Sequence, residues 1–194
     1  MTDDQRWLIA GLGNPGPRYA GNRHNIGFMV ADVLAARIGA RFKRDRAASQ
    51  AATGSLAGAA VVVVKPMSFM NASGGPVAAV ASFYKVPPDH VVVVHDELDL
   101  PYETIRLKQG GGDNGHNGLR SITAALRTRD YYRVRMGIGR PPGRQDPADF
   151  VLSDFAVAER RELPLLVERG ADAVEALLAR GLAAAQNEIH PAAG

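Results

Sequence analysis

The sequence predicts an α/β layered domain, a twisted mixed β-sheet flanked by helices, and three observations carry that prediction. Val61–Val64 and Val91–Val94 are unbroken β-branched runs, the pattern of strands covered on both faces. Between the strand candidates lie segments with apolar residues at helical spacing, and strands alternating with helices indicate an α/β layer. Residues 48–56 and 59–64 can pair as a hairpin around Gly58, which adds antiparallel strands and makes the sheet mixed.

Taken in order, Trp7 to Gly11 reads as a short buried strand. Ile26, Met29, Val30, Val33, Leu34 and Ile38 share one helical face, and Gly39 is a natural stop. The hairpin and the first valine run follow. A helix is expected over 72–85, then the second valine run. Strands are expected over Thr104–Lys108 and Tyr131–Ile138, with a helix over 117–127 between them. The tail from about 158 to 187 reads as helix, broken near Pro164 and Gly181.

The 194 residues fit one domain over 1–194, and 46% hydrophobic residues suffice for its core. The chain has no cysteine, which excludes disulfides and thiolate metal sites and suits the cytoplasm. Met1-Thr2-Asp3-Asp4-Gln5-Arg6 lacks the basic-then-apolar pattern of a secretory signal. No run of 18 apolar residues predicts a membrane span. Charge is uneven. Residues 1–144 hold 19 basic and 11 acidic residues, and 145–194 hold 4 and 9. A basic body suits a polyanionic partner, although a solvated arginine-rich surface explains the same count.

Polar, glycine-rich segments follow several strands, and in open α/β sheets sites gather beyond the strands' carboxyl ends. Gly11-Leu12-Gly13-Asn14-Pro15-Gly16-Pro17-Arg18-Tyr19 contains a literal G-x-G-x-x-G. The dinucleotide fingerprint needs a helix opening inside that turn, facing pyrophosphate. Pro15, Gly16 and Pro17 favour an irregular loop instead. Asp32 lies near the distance of the ribose-binding acid, but inside a helical pattern. In Asn22-Arg23-His24-Asn25, His24 precedes an amphipathic helix. It is either a surface or capping histidine, or a base kept neutral by the positive end of the helix dipole.

Lys65-Pro66-Met67-Ser68-Phe69-Met70-Asn71 offers soft apolar surface at Met67, Phe69 and Met70, which core packing equally explains. Asn71 is either a helix N-cap or an amide that both donates and accepts. His95-Asp96-Glu97-Leu98-Asp99 follows an all-valine strand, where polar residues rarely serve a core. Asp96 suits orienting a histidine and stabilising its imidazolium. The rival is a metal held by His95, Asp96, Glu97 and Asp99 with His24 or His116. The Gly110–Gly118 loop lets backbone approach a ligand, and Asn117 either caps the next helix or lines the site. Arg106 and Lys108, and Arg133 with Arg135 on one strand face, suit phosphate capture or a solvated basic face.

Together these blocks resemble the bacterial-type peptidyl-tRNA hydrolases. The resemblance rests on Gly11–Gly16 with Tyr19, Arg23–Phe28, Lys65–Asn71, His95–Asp99, Gly115–Leu119 and Tyr132–Pro141. The blocks stand in the family's order across about residues 7–155. The resemblance implies a monomeric, cytoplasmic, cofactor-free enzyme that hydrolyses the ester of peptidyl-tRNA. It implies His24 as base with Asp96 as partner. Asn14, Asn71 and Asn117 would line the site, Tyr19 and Met70 would shape it, and Lys108 and Arg135 would grip tRNA phosphate. Residues 141–156 would form a lid. The family loop often reads glycine, small residue, two glycines, His-Asn; here Asp113-Asn114 interrupts it. Two other readings stay in play: a non-catalytic RNA-binding domain, and a metal- or nucleotide-dependent hydrolase.

Overall fold

The computed structural model describes residues 4–190, so Met1–Asp3 of the expected signal-free N-terminus lie outside the described residues. Seven strands form one sheet: β1 (Trp7–Gly11), β2 (Lys43–Asp45), β3 (Ser49–Leu56), β4 (Ala59–Pro66), β5 (Val91–Glu97), β6 (Ile105–Gln109) and β7 (Tyr132–Gly137). Their order is β2-β3-β4-β1-β5-β7-β6. The inner four, β4, β1, β5 and β7, run parallel, and β2, β3 and β6 pair antiparallel at the margins. The mixed sheet expected from the sequence is therefore present.

The two valine runs explain the centre. Every residue of Val61–Val64 and Val91–Val94 is fully buried, because helices cover both faces. Burying each such side chain contributes about 1.5 kcal/mol or more. On one face lie α1 (Ile26–Arg37), α6 (Leu163–Arg180) and α7 (Leu182–Ile189); on the other lie α2 (Gly74–Phe83) and α3 (Asn117–Leu126). Two short helices, α4 (Pro147–Val151) and α5 (Val157–Arg160), lie between β7 and α6. Among the described residues, no helix is long and apolar enough to cross a membrane.

The hairpin turns at Ala57 and Gly58, both at positive φ, as a two-residue turn joining twisted strands requires. Pro164 sits in the first turn of α6, where a missing N–H costs nothing, and Gly181 separates α6 from α7. Strand β2 was not expected. Its three residues are polar and edge-placed, so no apolar alternation marks them.

One close approach sets the site. A Cβ on Gly27 would lie 2.4 Å from Leu12 N and 2.4 Å from Val94 O, and one on Gly11 would lie 2.2 Å from Gly27 O. The start of α1 is thus pressed onto the ends of β1 and β5. Leu12 N donates to Val94 O and Phe28 N donates to Leu12 O, both at 3.1 Å. The crossover from β1 leads to β4 on one side, while β5 lies on the other, so this is the point where strand order reverses.

Candidate active site

A cleft of about 410 Å³ opens at that point. Its walls include Asn14 and Tyr19 after β1, Phe69, Met70 and Asn71 after β4, and Asp96 and Glu97 at the end of β5. Asn114, His116 and Asn117 come from the glycine-rich loop, and Pro147, Ala148, Val151 and Leu152 from around α4. Of the residues the sequence singled out, His24, Asp96, Asn14, Tyr19, Met70, Asn71 and Asn117 all meet here.

His24 lies in a single 3-10 turn, Arg23–Asn25, directly ahead of α1. Its Nδ1 is 2.7 Å from Asp96 Oδ2, across 72 residues of chain. The other carboxylate oxygen, Oδ1, is 2.8 Å from His116 Nε2. The His116 tautomer follows from its other nitrogen. Nδ1 accepts from Gly118 N at 3.1 Å and Leu119 N at 3.3 Å, so the proton resides on Nε2 and is donated to Asp96. Asp96 is buried and accepts from two imidazoles. With His24 Nδ1–H donating to the carboxylate, His24 Nε2 is left bare as a base.

The capping alternatives for Asn71 and Asn117 are decided here. His116, not Asn117, caps α3. Histidine is an unusual cap and asparagine a common one, which is why the sequence offered Asn117 as the alternative cap. Asn71 likewise caps nothing: it lies inside a 3-10 turn, Met70–Ala72, and α2 starts at Gly74. The electrostatics of His24 also differ from the helix-dipole expectation. Burial disfavours its charged form, but the charge and hydrogen bond of Asp96 outweigh burial and raise its pKa above 6.5. Burial pushes the Asp96 carboxyl upward, yet the imidazoles of His24 and His116 hold it well below the usual carboxylate range.

Asn14 is the most tightly held amide. Its backbone N–H donates to Asn25 Oδ1, and Asn25 Nδ2 donates to Asn14 O, each at 2.9 Å. Its side-chain Oδ1 accepts from Met70 N at 2.7 Å. With the oxygen occupied and Asn14 on the cleft wall, its NH₂ is the group left to donate. Asn71 and Asn117 are exposed, and among the described residues no hydrogen bond fixes their amides. Asn25 went unrecognised as the residue holding Asn14, because a reciprocal amide pair leaves no trace in spacing. Met70 is buried against Gly118, while Phe69 stands exposed with Tyr19 edge-on at 6.3 Å.

The rival metal set does not converge. His95 Nδ1 donates to the backbone carbonyl of its neighbour Asp96, and burial first, then His116, pushes its pKa down to about 3. Glu97 receives Arg135, and Asp99 receives Arg140. The ligand atoms that do gather are those of His24, Asp96 and His116. Their contacts of 2.7 and 2.8 Å are hydrogen-bond distances, shorter than the roughly 3.3 Å edge of a tetrahedral site with bonds of about 2.0 Å. Asp32 lies in α1 and pairs with Lys65, consistent with rejecting a ribose-binding role.

Beside the cleft, β6 and β7 carry the basic residues. Arg106 pairs across from Arg135, and Lys108 from Arg133. Arg133 is corrected as a phosphate ligand: it is buried, and its guanidinium donates to the carbonyls of Gly111, Gly112 and Arg129. Arg135 donates from Nε and Nη2 to Glu97 Oε1. Burial, then Arg135 and Arg133, lower the pKa of Lys108, a mark of crowded positive charge. Lys108 and Arg135 do not line the cleft itself; Glu97 and Asn114 stand between.

The chain matches the family model described as Peptidyl-tRNA hydrolase over residues 8–193. It is 66% identical over 189 residues to a peptidyl-tRNA hydrolase of Frankia casuarinae, covering 97% of this chain and 96% of the relative. It is 63% identical over 187 residues to one of Streptomyces coelicolor, covering 93% of each. The crystal structure of peptidyl-tRNA hydrolase from Acinetobacter baumannii superposes with a TM-score of 0.89 at 35% identity, covering 98% of this chain and 97% of that one. With a family match running nearly end to end and an α/β fold that agrees, this chain belongs to the peptidyl-tRNA hydrolase family.

Proposed function

We propose that this enzyme hydrolyses the ester between a peptide and the terminal ribose of tRNA, using His24 as general base and Asp96 as its partner. The single observation behind this reading is the 2.7 Å contact of His24 Nδ1 with Asp96 Oδ2 in a cleft bordered by the carboxamides of Asn14, Asn71, Asn114 and Asn117. His24 Nε2 takes a proton from water as the water oxygen attacks the ester carbonyl, worth roughly 10²–10⁴ in rate. Asp96 holds the tautomer and stabilises the imidazolium. The Asn14 NH₂, its oxygen already committed, donates to the oxyanion. Collapse expels the ribose oxygen, which takes its proton from His24.

Asn71 and Asn117 then hold the peptide amide beside the ester, a group that a free aminoacyl ester lacks. Tyr19, Phe69 and Met70 supply apolar surface for peptide or terminal base. Lys108 and Arg135 bind tRNA phosphate. Residues 141–156 act as a lid. The turn that carries His24 anchors them, since Arg23 N donates to Ser153 O at 3.0 Å and Arg23 Nη1 donates to Phe150 O at 3.3 Å. We assign a cytoplasmic location, because the substrate is a product of translation, and a monomer, because one chain supplies the residues of the proposed site.

His24→Ala is expected to retain tRNA binding and lose most turnover. Single-turnover cleavage of N-blocked aminoacyl-tRNA by the purified variant checks this, and a rate near wild type removes His24 from the mechanism. Free aminoacyl-tRNA, assayed in parallel, is expected to be cleaved poorly by the wild-type enzyme.

A further inference from the structure

Glu97 lies next to Asp96 on β5 but turns to the opposite face of the sheet, as alternation requires. It is buried, and a single oxygen, Oε1, accepts three hydrogen bonds. Two come from Arg135, Nε at 3.1 Å and Nη2 at 3.0 Å. The third comes from Asn114 Nδ2 at 3.2 Å. Oε2 accepts from Asp99 N at 3.3 Å. One edge of the Arg135 guanidinium is thereby fixed, while Nη1 makes no hydrogen bond among the described residues and is free for a second anion.

Asn114 has φ +50°, a left-handed conformation that asparagine tolerates better than other side chains. It stands in the glycine-rich loop two residues before His116 and three before Asn117, and it lines the cleft itself. The loop's other anchor is Arg133, which holds the carbonyls of Gly111 and Gly112. Glu97 Oε1 therefore ties the arginine of the basic wing to the loop that presents His116 and Asn117 to the substrate.

We propose that Asn114 is a positioning residue. Through Glu97 it couples engagement of a tRNA phosphate by Arg135 to the placement of the His116–Asn117 loop, favouring esters borne on tRNA over small esters. This rests on the reading of Arg135 as a phosphate ligand. A phosphate drawn to Nη1 stiffens Arg135 against Glu97, and the shared oxygen passes that order to the loop. The tie exists only because a side-chain amide occupies position 114; a glycine there keeps the turn and loses the tie.

The test is a double-mutant cycle with peptidyl-tRNA as substrate. Asn114→Gly, which suits the positive φ, is expected to raise KM about fivefold and to move kcat less. Asn114→Asp, which sets a second carboxylate against Glu97, is expected to raise KM further. In an Arg135→Ala background, Asn114→Gly is expected to change KM by less than about 1.5-fold. A loss confined to kcat, or fully additive effects of Asn114→Gly and Arg135→Ala on KM, overturns the coupling. If Arg135→Ala alone leaves KM unchanged, the phosphate role fails first and the coupling goes with it, an outcome distinguishable from additivity.

Discussion

The cleft at the ends of β1 and β5 and the basic wing of β6 and β7 adjoin, yet they treat polar groups in opposite ways. In the cleft, the fixed groups are paired by direction. Asp96 receives one N–H on each oxygen, His116 is locked in one tautomer, and Asn14 has its oxygen committed. On the wing, Arg106, Lys108, Arg133 and Arg135 crowd together, with Glu97 as the carboxylate bound to Arg135 and backbone carbonyls absorbing Arg133. The difference teaches a division of labour. Preorganised geometry stabilises a transition state, whereas crowded like charge raises affinity for a polyanion. Changes to the fixed groups Asp96, His116 and Asn14 should therefore fall on kcat, and changes on the wing on KM and salt dependence.

The largest effect should come from Asp96→Asn. The substituted amide cannot accept from both imidazoles with equal strength, and it removes the charge that stabilises a protonated His24. By the behaviour of such dyads, kcat is expected to fall about 10⁴-fold. The wild-type rate should rise with pH through the His24 pKa, with a midpoint above 6.5 because Asp96 raises it. In the variant that midpoint should move down. A pH–rate profile of each protein checks both. An unshifted midpoint would detach Asp96 from His24 and break the contrast at its centre. Stability follows the same pair. The Asp96 contribution is complete above 3.8 and is lost as pH falls through its lowered folded pKa. The His24 contribution is complete below 6.5 and is lost as pH rises through its raised one.

A smaller effect, again on kcat, is expected from Asn14→Ala. Losing one preorganised donor to an oxyanion costs roughly 10²–10³ in rate. Asn71→Ala and Asn117→Ala, whose amides no hydrogen bond fixes, should weaken peptide binding and show in KM. Steady-state kinetics on one peptidyl-tRNA separates the three. If Asn14→Ala acts on KM alone, the oxyanion role passes to another group.

The cleft and the wing were legible in the sequence to different degrees. The valine runs and the hairpin turn revealed the sheet, because full burial and period-two pairing act locally on composition. Asp96 stood out because polar residues directly beyond a buried strand have little to do in a core, and His24 because it stands at the start of an amphipathic helix. What stayed hidden depends on neighbours distant in sequence. The Asn14–Asn25 pair and the burial of Arg133 under the glycine-rich loop are fixed by tertiary packing, and the tautomer that lets His116 cap its helix is set by Asp96 from β5. Strand alternation correctly put Arg133 and Arg135 on one face, but it cannot say what covers a face. The sign of the His24 shift was missed for the same reason: the dipole is a property of its own helix, while Asp96 arrives from another strand.

The mildest prediction tests the wing by itself. Lys108→Ala combined with Arg135→Ala removes two cations from beside the cleft and leaves the His24–Asp96 pair in place. Each phosphate that goes unneutralised should reduce the slope of log affinity against log salt by about 0.7–0.9, so the pair should flatten it by about 1.5. Affinity for tRNA at low salt should fall about tenfold, and the difference from wild type should shrink as salt rises. Arg133→Ala offers the contrasting outcome. Its guanidinium is spent on the carbonyls of Gly111 and Gly112, so its removal should loosen the loop and lower stability without changing the salt slope. Binding isotherms for the three proteins across a salt series decide the matter. A slope that changes for Arg133→Ala but not for the double variant would reverse the assignment of which arginine meets the nucleic acid.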